Sequence, residues 1–190
     1  HITAFAKRLR DCFYGSKGYW TTLTDEYRED GKRKSQTKAI PRDLTEYDYI
    51  EHLTQDKKQL TVSPLFSETE VYFGSIDVDT YQWNEEDRKE FLEKAQDQGL
   101  CPVQTKSGGI HCHTFTSADN GVSAAHMRNR LKNCRDALEL PENTEIFPKQ
   151  DSRHEKEYGN GISIPFRGFF KDPKKCNTVG LSASFGVVKE

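Results

Sequence analysis

Methionine occurs once and tryptophan twice in these 190 residues. No apolar run approaches the roughly 20 residues that cross a bilayer, and no basic segment leads into a hydrophobic one at the start as in a secretory signal. A membrane role is therefore not expected. The five cysteines, Cys12, Cys101, Cys112, Cys134 and Cys176, are odd in number and scattered. None forms a C-x-x-C pair, which argues against a zinc ribbon or a disulfide framework. Free thiols in a reducing, cytoplasmic setting fit them best. Charge of one sign is not in excess either. Lys and Arg number 28 against 30 Asp and Glu, a formal net charge of −2. Without a global basic field, any hold on nucleic acid must come from local patches. The candidates are Lys7, Arg8 and Arg10; Lys32, Arg33, Lys34 and Lys38; Arg128, Arg130 and Lys132; and Lys171, Lys174 and Lys175. Each of these also reads as an ordinary solvated face.

What is present suits a folded domain. Aromatic residues make up 11% and hydrophobic ones 34%, enough for a core in a chain of this length. The chain starts at His1 rather than at a methionine, which reads as one part of a larger multidomain protein.

Thr3 to Phe13 has a helical apolar side at Phe5, Leu9 and Phe13, and Leu44 to Leu53 forms another helix. Between them, Tyr19 and Trp20 precede a charged stretch to Lys38 that reads as irregular and mobile. Pro64 interrupts a strand-like run from Gln59 to Phe66. The pattern sharpens at Val71–Asp79, where β-branched and aromatic residues alternate. Asn84 and Asp87 form an N-cap pair, and Gly99 stops the helix after them. Cys101–Thr105 and Ile110–Phe115 are strands joined by a turn at Gly108 and Gly109. Ser123 caps a helix with Met127, Leu131, Cys134 and Leu138 at helical spacing, and Thr144–Phe147 is the next strand. The resulting expectation is an α+β fold with an RRM/ferredoxin-like βαββαβ core over residues 67–190. A helical or irregular N-terminal subdomain, residues 1–66, would pack on it.

In such a core the first strand lies between the third and the fourth. Side chains two apart share a strand face, so Asp77 and Asp79 point one way, and so do His111 and His113. Glu145 opposes Ile146. Five polar groups could then converge on the open face of the sheet. Carboxylates held together repel, and oxygen-ligated Mg²⁺ or Mn²⁺ is the usual resolution. Two such ions activate an attacking oxygen and stabilise a leaving pyrophosphate. Taken singly, each residue has an ordinary reading: Asp79 as a strand-ending turn residue, His111 as a hydrogen-bonded core histidine, Glu145 as part of a solvated edge.

At these residues the sequence resembles the archaeo-eukaryotic primase superfamily in its primase-polymerase branch. Phe73-Gly-Ser-Ile-Asp-Val-Asp79 is similar to its hydrophobic strand ending in Asp-x-Asp, and Thr105-Lys-Ser-Gly-Gly-Ile-His111 to its Ser/Gly-rich turn before a histidine. Glu145-Ile-Phe-Pro-Lys-Gln150 and Gly159-Asn-Gly-Ile-Ser-Ile-Pro165 resemble runs seen in primase-polymerases of phages, plasmids and prokaryotic defence or CRISPR-associated systems. The resemblance spans about Val71 to Phe166. It implies metal ligation by Asp77, Asp79 and Glu145, and triphosphate contacts from His111, Ser107 and Lys106. It further implies nucleotide or template contacts from Lys149, Gln150 and Asn160. The activity implied is extension of a 3′-hydroxyl on a DNA template from nucleoside triphosphates, with primer initiation also in reach. His113 departs from the family pattern, and the cysteine-rich zinc element of some primases is absent.

Two other readings compete. His111-Cys112-His113 is a His-hydrophobic-His triplet of the kind that binds one metal in HUH endonucleases, although the helix from Ser123 to Leu140 holds no nucleophilic tyrosine. A non-catalytic RRM-like module would instead stack bases on Phe73 and Phe147.

Overall fold

A computed structural model describes residues 1–80, 82–117, 119–176 and 178–179. In chain order these form α1 (Ile2–Cys12), β1 (Gly18–Tyr27), β2 (Arg33–Ala39), α2 (Glu46–Thr54), β3 (Lys58–Val62), β4 (Glu70–Val71) and β5 (Phe73–Val78). Then follow α3 (Glu85–Asp97), β6 (Cys101–Thr105), β7 (Ile110–Phe115), β8 (Val122–Ser123), α4 (Ala124–Ala137), β9 (Glu145–Phe147), β10 (Ile162–Ser163) and β11 (Thr178–Val179). Among the described residues no helix is long and apolar enough to cross a membrane. All five cysteines are free thiols.

The larger sheet has the order β11-β6-β7-β5-β9 and is antiparallel throughout. Its strands β6, β7, β5 and β9 are those expected from the alternating pattern, in the expected order, with β11 added beyond β6. The fold is α+β, as read. One face of this sheet carries Ile76, Val78, Ile110, Cys112 and Ile146, packed with Phe91 and Ala95 of α3 and with Met127, Leu131 and Cys134 of α4. Both helices start where the sequence places them. Asn84 Oδ1 accepts from the Asp87 N–H at 2.7 Å, and Ser123 Oγ from the His126 N–H at 3.1 Å. Gly74 lets α4 sit close to β5, because a Cβ there would fall 2.7 Å from Met127 Cγ and 2.8 Å from Leu131 Cδ1.

The second sheet has the order β10-β3-β1-β2. Two expectations are corrected here. The charged stretch before Lys38 is a hairpin, β1 paired with β2 with a register shift between Leu23 and Tyr27, so residues 1–66 are not merely helical or irregular. Polar cross-strand pairs hold the hairpin, among them Thr21 with Thr37 at 2.8 Å, Arg33 with Asp25 at 3.2 Å and Lys34 with Glu26 at 2.9 Å. Hydrophobic alternation could not reveal a strand built this way. In addition, β10 returns from far along the chain to extend this N-terminal sheet through β3.

Helices α1 and α2 bind the two sheets together. Phe13, at the end of α1, meets Phe73, His113 and Phe115 edge-on, with ring centroids 5.2, 4.8 and 5.3 Å away. Its carbonyl accepts a hydrogen bond from the Tyr49 hydroxyl of α2 at 2.8 Å. His52 of α2 is fully buried. Its Nδ1 accepts from the Leu60 N–H at 3.2 Å while Nε2–H donates to the Pro165 carbonyl at 2.8 Å. Both nitrogens are thereby committed in the neutral form.

Burial pushes the His52 pKa down to about 3, whereas an unfolded histidine titrates near 6.5. Neutral His52 therefore contributes its full stabilisation above about pH 6.5 and loses it as the pH falls toward 3. Between pH 7 and pH 5 that loss amounts to about 2 kcal/mol. Urea unfolding at the two pH values should show it, and His52→Gln, though less stable at pH 7, should lose about that much less on acidification. An unchanged pH dependence would contradict the assignment.

Candidate active site

The face of the larger sheet that lies opposite α3 and α4 is graded in polarity, row by row. Directly paired residues of an antiparallel sheet share a face, with Cβ atoms about 4.5–5.5 Å apart. Phe73 pairs with Phe115 to make the innermost row. The next row is Phe147, Ser75, His113 and Cys101, and the one after it is Glu145, Asp77, His111 and Val103. Phe13 and its neighbours cover the inner rows, where Phe73, Ser75 and His113 are fully buried. The outer row reaches solvent: the side chains of Asp77, His111 and Glu145 are 21%, 17% and 46% exposed.

Within this outer row each carboxylate faces a cation or potential cation. His111 Nε2 lies 3.3 Å from Asp77 Oδ1, and Lys149 Nζ lies 2.5 Å from Glu145 Oε1. The Lys149 ammonium also sits 5.1 Å from the centre of the Phe147 ring. Asp79 is exposed, one residue beyond the end of β5. An open cleft of about 220 Å³ runs past this end of the sheet, with Asp77, Asp79, Thr80, Asn143, Thr144 and Glu145 in its walls. Asn143 and Thr144, which as sequence read only as the surroundings of Glu145, are thus part of the cleft.

The remaining candidates surround the row at varying distance along the chain. Lys106 and Ser107 lie in the β6–β7 turn, at the same end of the sheet as His111. Ser107 Oγ is 2.9 Å from Thr105 Oγ1, and Lys106 Nζ donates to the Lys174 carbonyl at 2.6 Å. Gln150 is half-buried beside Gly159, and Asn160 is exposed. Gly159 has φ +71°, and a Cβ there would lie 2.8 Å from Ser63 Oγ, so glycine is required. Tyr19, whose hydroxyl donates to the Gly159 carbonyl at 2.7 Å, secures this loop to β1.

His113 does not join His111 on the open row. It is fully buried, its Nδ1 lies 2.5 Å from Ser75 Oγ, and its Nε2 has no hydrogen-bond partner. Burial, with His111 nearby, drives its pKa well below the ordinary histidine value and keeps it neutral. The two histidines therefore present one open imidazole rather than the pair an HUH-type site needs. Phe73 and Phe147, the stacking platform of an RRM-like module, lie buried in the core.

Among the described residues, no group of three or more His, Cys, Asp or Glu side chains stands close enough to hold a metal ion as arranged. The donor chemistry nonetheless suits a hard cation. Asp77 and Glu145 are oxygen donors abreast on adjacent strands, each already drawing a nitrogen group to itself. Turning Lys149 away from Glu145 would open that carboxylate.

The segment after Glu145 is anchored by a residue without any motif signature. Arg153 is buried, and its guanidinium donates almost entirely to backbone carbonyls. Nε reaches Leu65 O, Nη1 reaches His154, Glu155 and Glu157 O, and Nη2 reaches Phe66 O and Ser16 Oγ, all at 3.1–3.4 Å. This clamp fixes the loop that runs from Gln150 to Gly159.

The fold is thus that of a primase-type α+β domain with an acidic row at an open sheet end. The family model described as the Archaeo-Eukaryotic Primase domain of the TOTE conflict system matches residues 3–187, and the chain belongs to this family. No curated protein sequence matches it. Membership supports a primase-like nucleotidyl-transfer role with nucleic-acid and nucleotide substrates, and such domains are generally metal-dependent.

Replacing Arg153 with methionine would strand these carbonyls and should cost about 3 kcal/mol. In a chain of this size that is roughly 10 °C of melting temperature. Calorimetry showing an unchanged melt would refute the clamp.

Proposed function

We propose that this domain is a Mg²⁺- or Mn²⁺-dependent DNA primase-polymerase that adds nucleotides from nucleoside triphosphates to a 3′-hydroxyl on a template. The observation that carries the reading is the register of three strands, which sets Glu145, Asp77 and His111 side by side, with both carboxylates in the wall of an open cleft. Asp77, Asp79 and Glu145 would hold the ions. When bound, two such ions activate the attacking oxygen and stabilise the departing pyrophosphate.

The chain's own side chains supply the rest. His111 shares the row with Asp77 and holds the triphosphate from the β7 side, next to the turn that carries Lys106 and Ser107. Lys149 neutralises Glu145 while the site is without metal and turns to the nucleotide's phosphates once Glu145 is taken. Gln150 and Asn160, on the loop fixed by Arg153, contact nucleotide or template. The buried Ser75–His113 pair excludes water behind the row.

Primer extension on a templated DNA duplex tests the assignment. The wild-type protein should extend with Mn²⁺ or Mg²⁺, and Asp77→Ala/Asp79→Ala should lose activity by 100-fold or more, on the order expected when charge stabilisation at a reacting phosphate is removed. Equal extension by both proteins would sink the proposal. A covalent tyrosyl-DNA adduct on a denaturing gel would favour the nickase reading instead.

Lys149 is tested by metal binding rather than turnover. An exposed ion pair is worth about 0.2–1 kcal/mol, so Lys149→Met should tighten Mn²⁺ binding by up to about five-fold by calorimetry. Weaker or unchanged binding would show that Lys149 does not compete with the metal.

A further inference from the structure

A second concave surface lies on the N-terminal sheet, away from the acidic row. On β1, Trp20 stands between Lys38 of β2 and Leu60 of β3 in the register. One step along, Thr22 stands between Gln36 and Lys58. All of these side chains share one face of the sheet. Toward Gly18 that face is closed, since a Cβ on Gly18 would fall 3.1 Å from Leu44 Cδ1. Past Trp20 it opens into a trough of about 400 Å³, walled by Ile40, Pro41 and Arg42. This volume lies within the range of about 300–1,000 Å³ typical of ligand sites.

The trough has a definite chemistry. Lys38, Arg42 and Lys58 line it, and none of the described residues lining it is acidic. Two of these cations are fixed from behind. Arg42 grips the buried Asp48 carboxylate with both nitrogens, at 2.7 and 2.8 Å, and Lys58 pairs with Glu51 at 2.5 Å. Burial opposes the charge on Asp48, yet the Arg42 fork and the Thr45 N–H hold its carboxyl below the usual carboxylate range. The Lys58 ammonium also lies 4.5 Å from the centre of the Trp20 ring, which steadies the indole. Lys38 is the one of the three with no carboxylate partner among the described residues. Along β2, a two-residue step of about 7 Å puts Gln36 on the same side as Lys38, a second donor along an extended chain.

We propose that this trough binds single-stranded nucleic acid, with a base stacked on Trp20 and the adjoining phosphate held by Lys38. A braced indole beside an unpaired ammonium fits a flat base joined to an anion. The alternating donors of β2 fit a strand that continues beyond one nucleotide. A duplex keeps its base faces stacked and offers none to Trp20. The trough is built without any residue of the acidic row, and it rests on the proposed function only in supposing that the strand it holds is the template.

Binding of a fluorescein-labelled oligothymidylate of about 12 nucleotides, without metal or nucleotide, tests this by anisotropy across a salt series. Trp20→Ala should weaken binding roughly ten-fold or more, and Trp20→Phe, which keeps a ring, should restore most of it. Lys38→Glu, on an exposed strand, should weaken binding and reduce the slope of log affinity against log salt by about one. In a Trp83→Phe background the remaining indole should be quenched as the oligonucleotide binds. Wild-type affinity in both Trp20→Ala and Lys38→Glu would overturn the proposal, as would equal competition by a duplex or by free thymidine triphosphate. Because this assay involves no catalysis, Asp77→Ala/Asp79→Ala should bind normally. A wild-type protein that fails to extend primers yet shows Trp20-dependent binding would therefore count against the polymerase and not against the trough.

Discussion

Everything at the acidic site depends on the register of β9, β5 and β7. A slip of one residue would carry Asp77, His111 and Glu145 to the opposite face and bring Ile76, Cys112 and Ile146 out in their place. Burial on both faces prevents this. On one side α3 and α4 take the aliphatic residues, and on the other Phe13 takes Phe73, Phe115 and His113. A sheet with one solvated face would define its register by a single pattern. Here two unlike apolar surfaces must both be satisfied, and only at the end beyond Ser75 and His113 is the second face released to solvent.

That release explains the gradient of polarity. The Phe73–Phe115 row belongs to the core, and the Asp77 row belongs to the cleft. Between them lies the Ser75–His113 pair, polar but wholly buried. An imidazole there can remain only as the neutral form, because burial of its charge would be costly. It fills the space under the row without adding charge to it. Among the described residues the two carboxylates above thus meet nitrogen partners from either side, His111 from β7 and Lys149 from the segment after β9. Any cation that enters must compete with Lys149 for Glu145.

The ferredoxin-like core was legible because its strands are half aliphatic and its helices begin at Asn84 and Ser123 with unambiguous caps. The acidic row was legible for the same reason, since strand order plus a period of two places Asp77 beside Glu145 and His111. Other parts carried no such signal. The β1–β2 hairpin is joined by threonine pairs and exposed ion pairs, so its pattern matches that of a solvated loop. The two residues of β10 return across more than 90 positions to pair with β3, and no local pattern encodes a partner so distant. His113 shows the limit of a face argument: it does share a face with His111, but α1 covers that part of the face. Arg153 donates to carbonyls, which every residue possesses, so nothing in its neighbours' identities announces the clamp.

The same limit bears on the polar half of the molecule. Trp20 and Lys38 are 18 residues apart and lie in a segment whose composition reads as unstructured, yet the hairpin register makes them direct neighbours. Once the hairpin exists, its alternation sorts a nearly balanced set of charges. Asp25 and Glu26 are taken up by Lys57, Arg33 and Lys34 toward the tip, and Lys38 is left near the base beside the indole. A chain with almost no net charge can hold an anionic strand in this way, because pairing takes up the acidic residues Asp25 and Glu26 and, among the described residues, leaves Lys38 unpaired beside the trough. The acidic row works by the opposite arrangement, two carboxylates abreast, one beside His111 and the other beside Lys149. The fold keeps the two surfaces on separate sheets, one built from β1, β2 and β3 and the other from β5, β7 and β9.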